Sequence, residues 1–135
     1  MLRRAFCIVI AAGFCAVAGC GGVKPVTGGT KGTLRIGGEL LSEIQVTVHR
    51  VEGTALQTVG FGVTTHDGSF ELVTNGAQGP LRLVPGDYRF TLESAGAPFQ
   101  VSQEFGRPET TPVKSTWGAG DVTLNLDVPV TAIAR

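Results

Sequence analysis

The sequence predicts an all-β fold, an antiparallel β-sandwich of about seven strands, and three observations predict it. From Leu34 onward apolar residues alternate with polar ones at period two, the spacing of strands that bury one face and wet the other. Turn-forming pairs, Asp67-Gly68 and Pro85-Gly86, punctuate the alternating segments, where their backbone preferences redirect the chain. Helical spacing is almost absent over the same stretch. Short strands separated by turns argue for a sandwich rather than a barrel or an α/β fold.

Taken in order, Leu34-Arg35-Ile36 forms a short first strand. The clearest strand is Ile44-Gln45-Val46-Thr47-Val48-His49, with Ile44, Val46 and Val48 on one face and Gln45, Thr47 and His49 on the other. Val59, Phe61, Val63 and Thr65 alternate next, followed by His66-Asp67-Gly68-Ser69 and then Phe70 and Leu72. An Asp-Gly pair between alternating runs is a hairpin signal, because Gly accepts positive φ and Asp tolerates it, so these two runs are expected to pair. Gly60 and Gly62 inside the first of them mark a bulge or a close backbone approach. Pro85-Gly86 reads as a type II turn, with Pro fixing φ and Gly supplying the positive φ of the next position. It leads into Asp87 to Glu93, where Tyr88, Phe90 and Leu92 point inward. Residues 94 to 111 lack periodicity and read as a long loop or irregular edge, with Val113 to Trp117 a short strand after it. The last strand is Asp121 to Val128, with Val122, Leu124, Leu126 and Val128 inward.

The N-terminus has a different character. Arg3-Arg4 precede an apolar stretch from Ala5 to Ala18 that ends at Gly19-Cys20. A charged start, an apolar middle of about 15 residues and small residues at the end are the pattern of an export signal, and a membrane-spanning helix needs roughly 20. Val17-Ala18-Gly19-Cys20 resembles the lipobox of bacterial lipoproteins, in which the cysteine thiol is alkylated by a diacylglyceryl group before cleavage. Residues 1–19 are therefore expected to be a removed signal peptide. Residues 20–33, the lipidated Cys20 and a Gly-rich run, are expected to be a flexible tether, and 34–135 the β-sandwich domain. Cys7 and Cys15 lie within the signal, so no disulfide is expected in the exported chain. By the lipoprotein resemblance, Gly21 is not the Asp that retains such proteins at the inner membrane. The expected location is the bacterial cell envelope, with the periplasm-facing outer membrane favoured.

The order of motifs in the domain resembles a known family. Gly37-Gly38-Glu39-Leu40-Leu41, Ile44 to Val48, Thr64 to Leu72 around Asp67-Gly68, and Leu83-Val84-Pro85-Gly86-Asp87-Tyr88 follow one another as in carboxypeptidase regulatory-like domains. These are small transthyretin-like sandwiches, and similar lipid-anchored versions occur in planctomycete-type bacteria. The resemblance spans residues 31 to 128 and implies a fold and no activity, since its shared motifs are turns. His66 stands where an acidic or small residue is usual in that family, which removes support for a cation site at this loop.

Residue chemistry points the same way. Lys+Arg and Asp+Glu number 11 each, scattered rather than clustered, which leaves no basic patch for a nucleic acid. His49 and His66 are the two histidines and read as solvated surface residues, short of the three or four convergent ligands of a zinc site. The serines lack a Gly-x-Ser-x-Gly frame, and no spacing selects a carboxylate pair. The chain is expected to be non-catalytic, with neither cofactor nor metal, and to meet the membrane through its lipid and an envelope protein or a glycan through the domain. An alternative is a carbohydrate-binding or adhesion module. Its contacts would be Trp117, Phe99 and Phe105, the aromatics of the irregular 94–118 region and so the candidates for exposure, although for Trp117 the favoured reading is that it caps the open end of the sandwich as core.

Overall fold

The computed structural model describes residues 26–134. Two sheets pack face to face. The larger holds five antiparallel strands in the order β6-β4-β3-β7-β9, with β3 Ile44–Glu52, β4 Ala55–Val63, β6 Val73–Thr74, β7 Gly86–Ser94 and β9 Lys114–Trp117. In the smaller, β1 (Lys31–Ile36) is flanked on one side by β10 (Thr123–Val128) and on the other by β2 (Glu39–Leu40) and β5 (Ser69–Glu71). β8 (Gln100–Val101) and β11 (Ile133–Ala134) make a two-residue pair of their own.

Alternation explains the main strands. In β3, Ile44, Val46 and Val48 are fully buried, and in β7 so are Tyr88, Phe90 and Leu92. They meet Leu34 and Ile36 of β1 and Leu124, Leu126 and Val128 of β10 in one core. Each such side chain contributes about 1.5–3 kcal/mol by leaving water. Val122 departs from the expected inward series and is 80% exposed, because it precedes the first paired residue of β10, Thr123.

Four further departures have physical causes. β1 and β10 run parallel, Leu34 opposite Leu126, so the first and last long strands lie side by side and one pairing of the sandwich is not antiparallel. The Asp67-Gly68 tip closes locally, Gly68 N–H donating to Thr65 O at 2.9 Å and Thr65 N–H to Ser69 O at 2.8 Å. Beyond it the two runs do not pair as expected: β5 joins β1 while β6 returns to β4. The chain therefore changes sheets at Leu72, whose N–H donates to Thr30 O and whose carbonyl accepts from Leu81 N–H.

β4 accommodates this crossing with its glycines. A Cβ on Gly60 would lie 2.1 Å from Val73 O, and one on Gly62 3.0 Å from Glu71 O. Both expected features are present: the close approach, and a bulge, since Val48 pairs with Gly60 but His49 with Thr58, leaving Val59 as the extra residue. Gly86 does not form the expected type II turn. Its φ of 159° is far from the roughly +80° that turn requires, and it begins β7 opposite Trp117.

The expected tether is also shorter than residues 20–33. Gly28 N–H donates to the Glu71 carboxylate, Arg82 Nε donates to Gly28 O at 3.0 Å, and Thr30 N–H donates to Leu81 O at 2.8 Å. Lys31-Gly32-Thr33 are already β1. Gly32 is there because the Phe70 ring lies where its Cβ would be, 2.4 Å from Phe70 Cζ. Glycines that suggest looseness in sequence serve here as contact points.

Candidate functional site

Trp117 is part of the core, as the favoured reading of it has it, and of the other two candidates for a ligand surface Phe105 is buried and Phe99 partly so. Trp117 is 7% exposed and Phe105 1%, and Phe99 is half-buried against the same core. Trp117 continues the inward series Val113, Ser115, Trp117 of the edge strand, and Phe105 sits in a 3₁₀ turn, Gln103–Gly106, that brings its ring under the sheet. The irregular segment is a cover of the core, and its aromatics are the covering groups.

His49 is likewise not a solvated residue. Although it lies on the outward face of β3, it is 6% exposed. Its ring bridges strands: Nδ1 lies 2.9 Å from Thr58 Oγ1 on β4 and Nε2 2.9 Å from Thr91 Oγ1 on β7. A neutral imidazole satisfies both contacts, donating at one nitrogen and accepting at the other. Burial pushes its pKa below the ordinary value, and the nearby Glu109 carboxylate pulls it partly back.

His66 is exposed at the turn tip, as expected. Its neighbour Asp67 is a turn-fixing group: Oδ1 accepts from Thr65 Oγ1 at 2.6 Å, Ser69 Oγ at 2.6 Å and Ser69 N–H at 3.1 Å. Those hydrogen bonds hold its carboxyl well below the usual carboxylate range. With these acceptor positions occupied, Asp67 orders the crossing between sheets rather than a substrate. Among the described residues no group of three or more His, Cys, Asp or Glu gathers as a metal site would require.

What the outer face of the larger sheet does offer is a shallow, open depression of about 420 Å³ on β3, β7 and β9. Val51 forms part of its lining; Asp87 and Arg89 of β7 and Lys114 and Thr116 of β9 stand around it. Strand register places them. Thr58, His49, Arg89 and Lys114 form one row across four strands, and Asp87 faces Thr116 in the next row of the β7–β9 pair. Asp87 Oδ1 accepts from Thr116 Oγ1 at 2.7 Å, and Arg89 Nη1 donates to Pro108 O at 3.1 Å.

The alternation that turns Tyr88 and Phe90 inward leaves Arg89 outward, but nothing in the sequence brings it together with Lys114. Alternation gives the face of a residue, whereas the register between β7 and β9 is set across the aperiodic segment that joins them. Cys20, the expected lipidation point, lies outside the described residues, and among those described no helix is long and apolar enough to cross a membrane. Compared with known proteins, the chain matches no family model, no curated protein and no solved structure.

Proposed function

We propose that the chain is a non-catalytic, lipid-anchored protein of the bacterial cell envelope, held to a membrane through Cys20 and presenting its β-sandwich as a binding or structural module. The observation that carries this reading is Val17-Ala18-Gly19-Cys20 at the end of an apolar stretch that follows Arg3-Arg4. The carboxypeptidase regulatory-like resemblance belongs to the same proposal, as a statement of fold kinship without activity. The side chains of most chemical promise, His49 and Asp67, are engaged in structural hydrogen bonds, which favours a module over an enzyme.

The N-terminal docking adds a geometric consequence. Only residues 21–27 separate Cys20 from Gly28, which is hydrogen-bonded to the domain. At about 3.3–3.6 Å per residue the eight steps from Cys20 to Gly28 span at most about 29 Å, so an anchored domain works within roughly its own diameter of the lipid surface. The carbohydrate alternative has less basis in the loop aromatics, because Trp117 and Phe105 are buried in the core and Phe99 is packed against it. The deciding comparison is fractionation of wild type against Cys20→Ala after export. Wild type is expected in the membrane pellet and the variant in the soluble periplasm. A wild-type protein recovered unlipidated and soluble would overturn the proposal.

A further inference from the structure

From the outer face of the larger sheet we infer that the depression beside β9 is a binding site for a small, hydroxylated ligand carrying an oxyanion, with Arg89 and Lys114 receiving the anion and Asp87 a hydroxyl. The inference deepens the reading of the domain as a binding module, and it holds or fails independently of the state of Cys20.

Three observations carry it. Arg89 and Lys114 are directly opposite each other in the antiparallel β7–β9 pair, and both belong to the outward series of their strands. Like charges facing across a strand pair are unfavourable when nothing neutralises them. Neither is in an ion pair within 4.0 Å: among the described residues that pair is Arg50–Glu52, at 3.8 Å. Asp87, on the same face, accepts from Thr116 Oγ1 with one oxygen and leaves the other free. An anion between the two cations resolves the arrangement.

The second observation is space. About 420 Å³ lies within the range of small-molecule sites. The third is the mixture of groups around that space. Half-buried Val51 supplies an apolar contact, and Asp87 Oδ1 is bonded to a hydroxyl already, so its second oxygen can accept from a ligand hydroxyl. Two cations in one row and, in the next, a hydroxyl acceptor with an apolar contact beside it describe a hydroxylated acid, with the anion either a carboxylate or a phosphate.

The full-length chain, in detergent when it is purified from membranes, is titrated with glucuronate, glucose 6-phosphate and glucose while backbone amide shifts are followed by NMR. Glucuronate, glucose 6-phosphate or both are expected to give saturable shifts at Asp87, Arg89 and Lys114 to Thr116, and glucose none at the same concentrations. Whichever acid saturates identifies the anion as carboxylate or phosphate. Lys114 is exposed, so Lys114→Gln should leave the fold intact and weaken binding roughly five- to tenfold, as loss of one charge-assisted contact does. Lys114→Arg should retain affinity, and Lys31→Gln on the other sheet should change nothing. Absence of saturable shifts for both acids up to about 20 mM, far above the millimolar range of weak sites, overturns the inference. So does an equal response to glucose, or equal effects of Lys114→Gln and Lys31→Gln.

Discussion

Substituting Gly60 by alanine tests the crossing between sheets more sharply than any core truncation. A methyl group at this position meets Val73 O at 2.1 Å and Leu81 Cδ2 at 2.7 Å. Real Cβ contacts do not come so close, so about 1 Å of separation must open between β4 and β6. One of the two obstacles is a carbonyl oxygen, and it cannot move without the backbone. Overpacking of this kind costs about 1–3 kcal/mol, and each kcal/mol lowers the melting temperature of a domain this size by roughly 4–8 °C. Gly60→Ala is therefore expected to melt roughly 5–20 °C below wild type by circular dichroism. Hydrogen exchange should accelerate most at Phe61 and Val73, which pair across this seam. Gly79→Ala is the matched control, because nothing lies within 4 Å of its Cβ position. Restricting the unfolded chain there should stabilise by about 0.4–1 kcal/mol. If Gly60→Ala melts within about 2 °C of wild type, the close approach of β4 to β6 is wrong, and with it the account of how residues 69–74 are shared between sheets.

Three further outcomes follow from named side chains. The folded-state pKa of His49 is lowered by burial, so below its ordinary value of about 6.5 the unfolded chain binds more protons than the folded one. Stability should be level above neutral pH and fall as pH drops through that value, a decline seen in chemical denaturation and flattened in His49→Gln. Trp117→Ala should cost about 3–5 kcal/mol as a core truncation does, whereas Val122→Ser, at an 80% exposed site, should stay within about 0.5 kcal/mol. Asp67→Ala should lower the melting temperature at neutral pH. Its deficit should shrink as pH falls below about 3.9, because there the unfolded wild-type chain takes up a proton at Asp67 that the folded one, held lower by its hydrogen bonds, does not.

The elements legible in sequence are those whose pattern is local. Ile44-Val46-Val48, Tyr88-Phe90-Leu92 and Leu124-Leu126-Val128 each state their face through their own alternation, and all nine side chains are in the core. Pairings set at long range were not legible. Nothing near Leu34 or Leu126 announces that they are parallel partners, and Asp67-Gly68 encodes a reversal without encoding which sheet receives the returning strand. Burial on the outward face escaped for a similar reason. His49 has the alternation of a wetted residue, yet Thr58 and Thr91 close on it from two other strands. Trp117 shows the opposite case. The reading of it as a cap of the core is borne out, although the composition on either side is loop-like. The Arg89–Lys114 pairing required both the face, which alternation supplies, and the register, which it does not.

The central claim is that Cys20 is a lipid anchor, and the mass of the N-terminal peptide of the natively expressed protein tests it most directly. For an anchored protein this peptide begins at Cys20 and carries a diacylglyceryl group on the thiol. A peptide that begins at any other residue, or an unmodified Cys20 thiol, would contradict it.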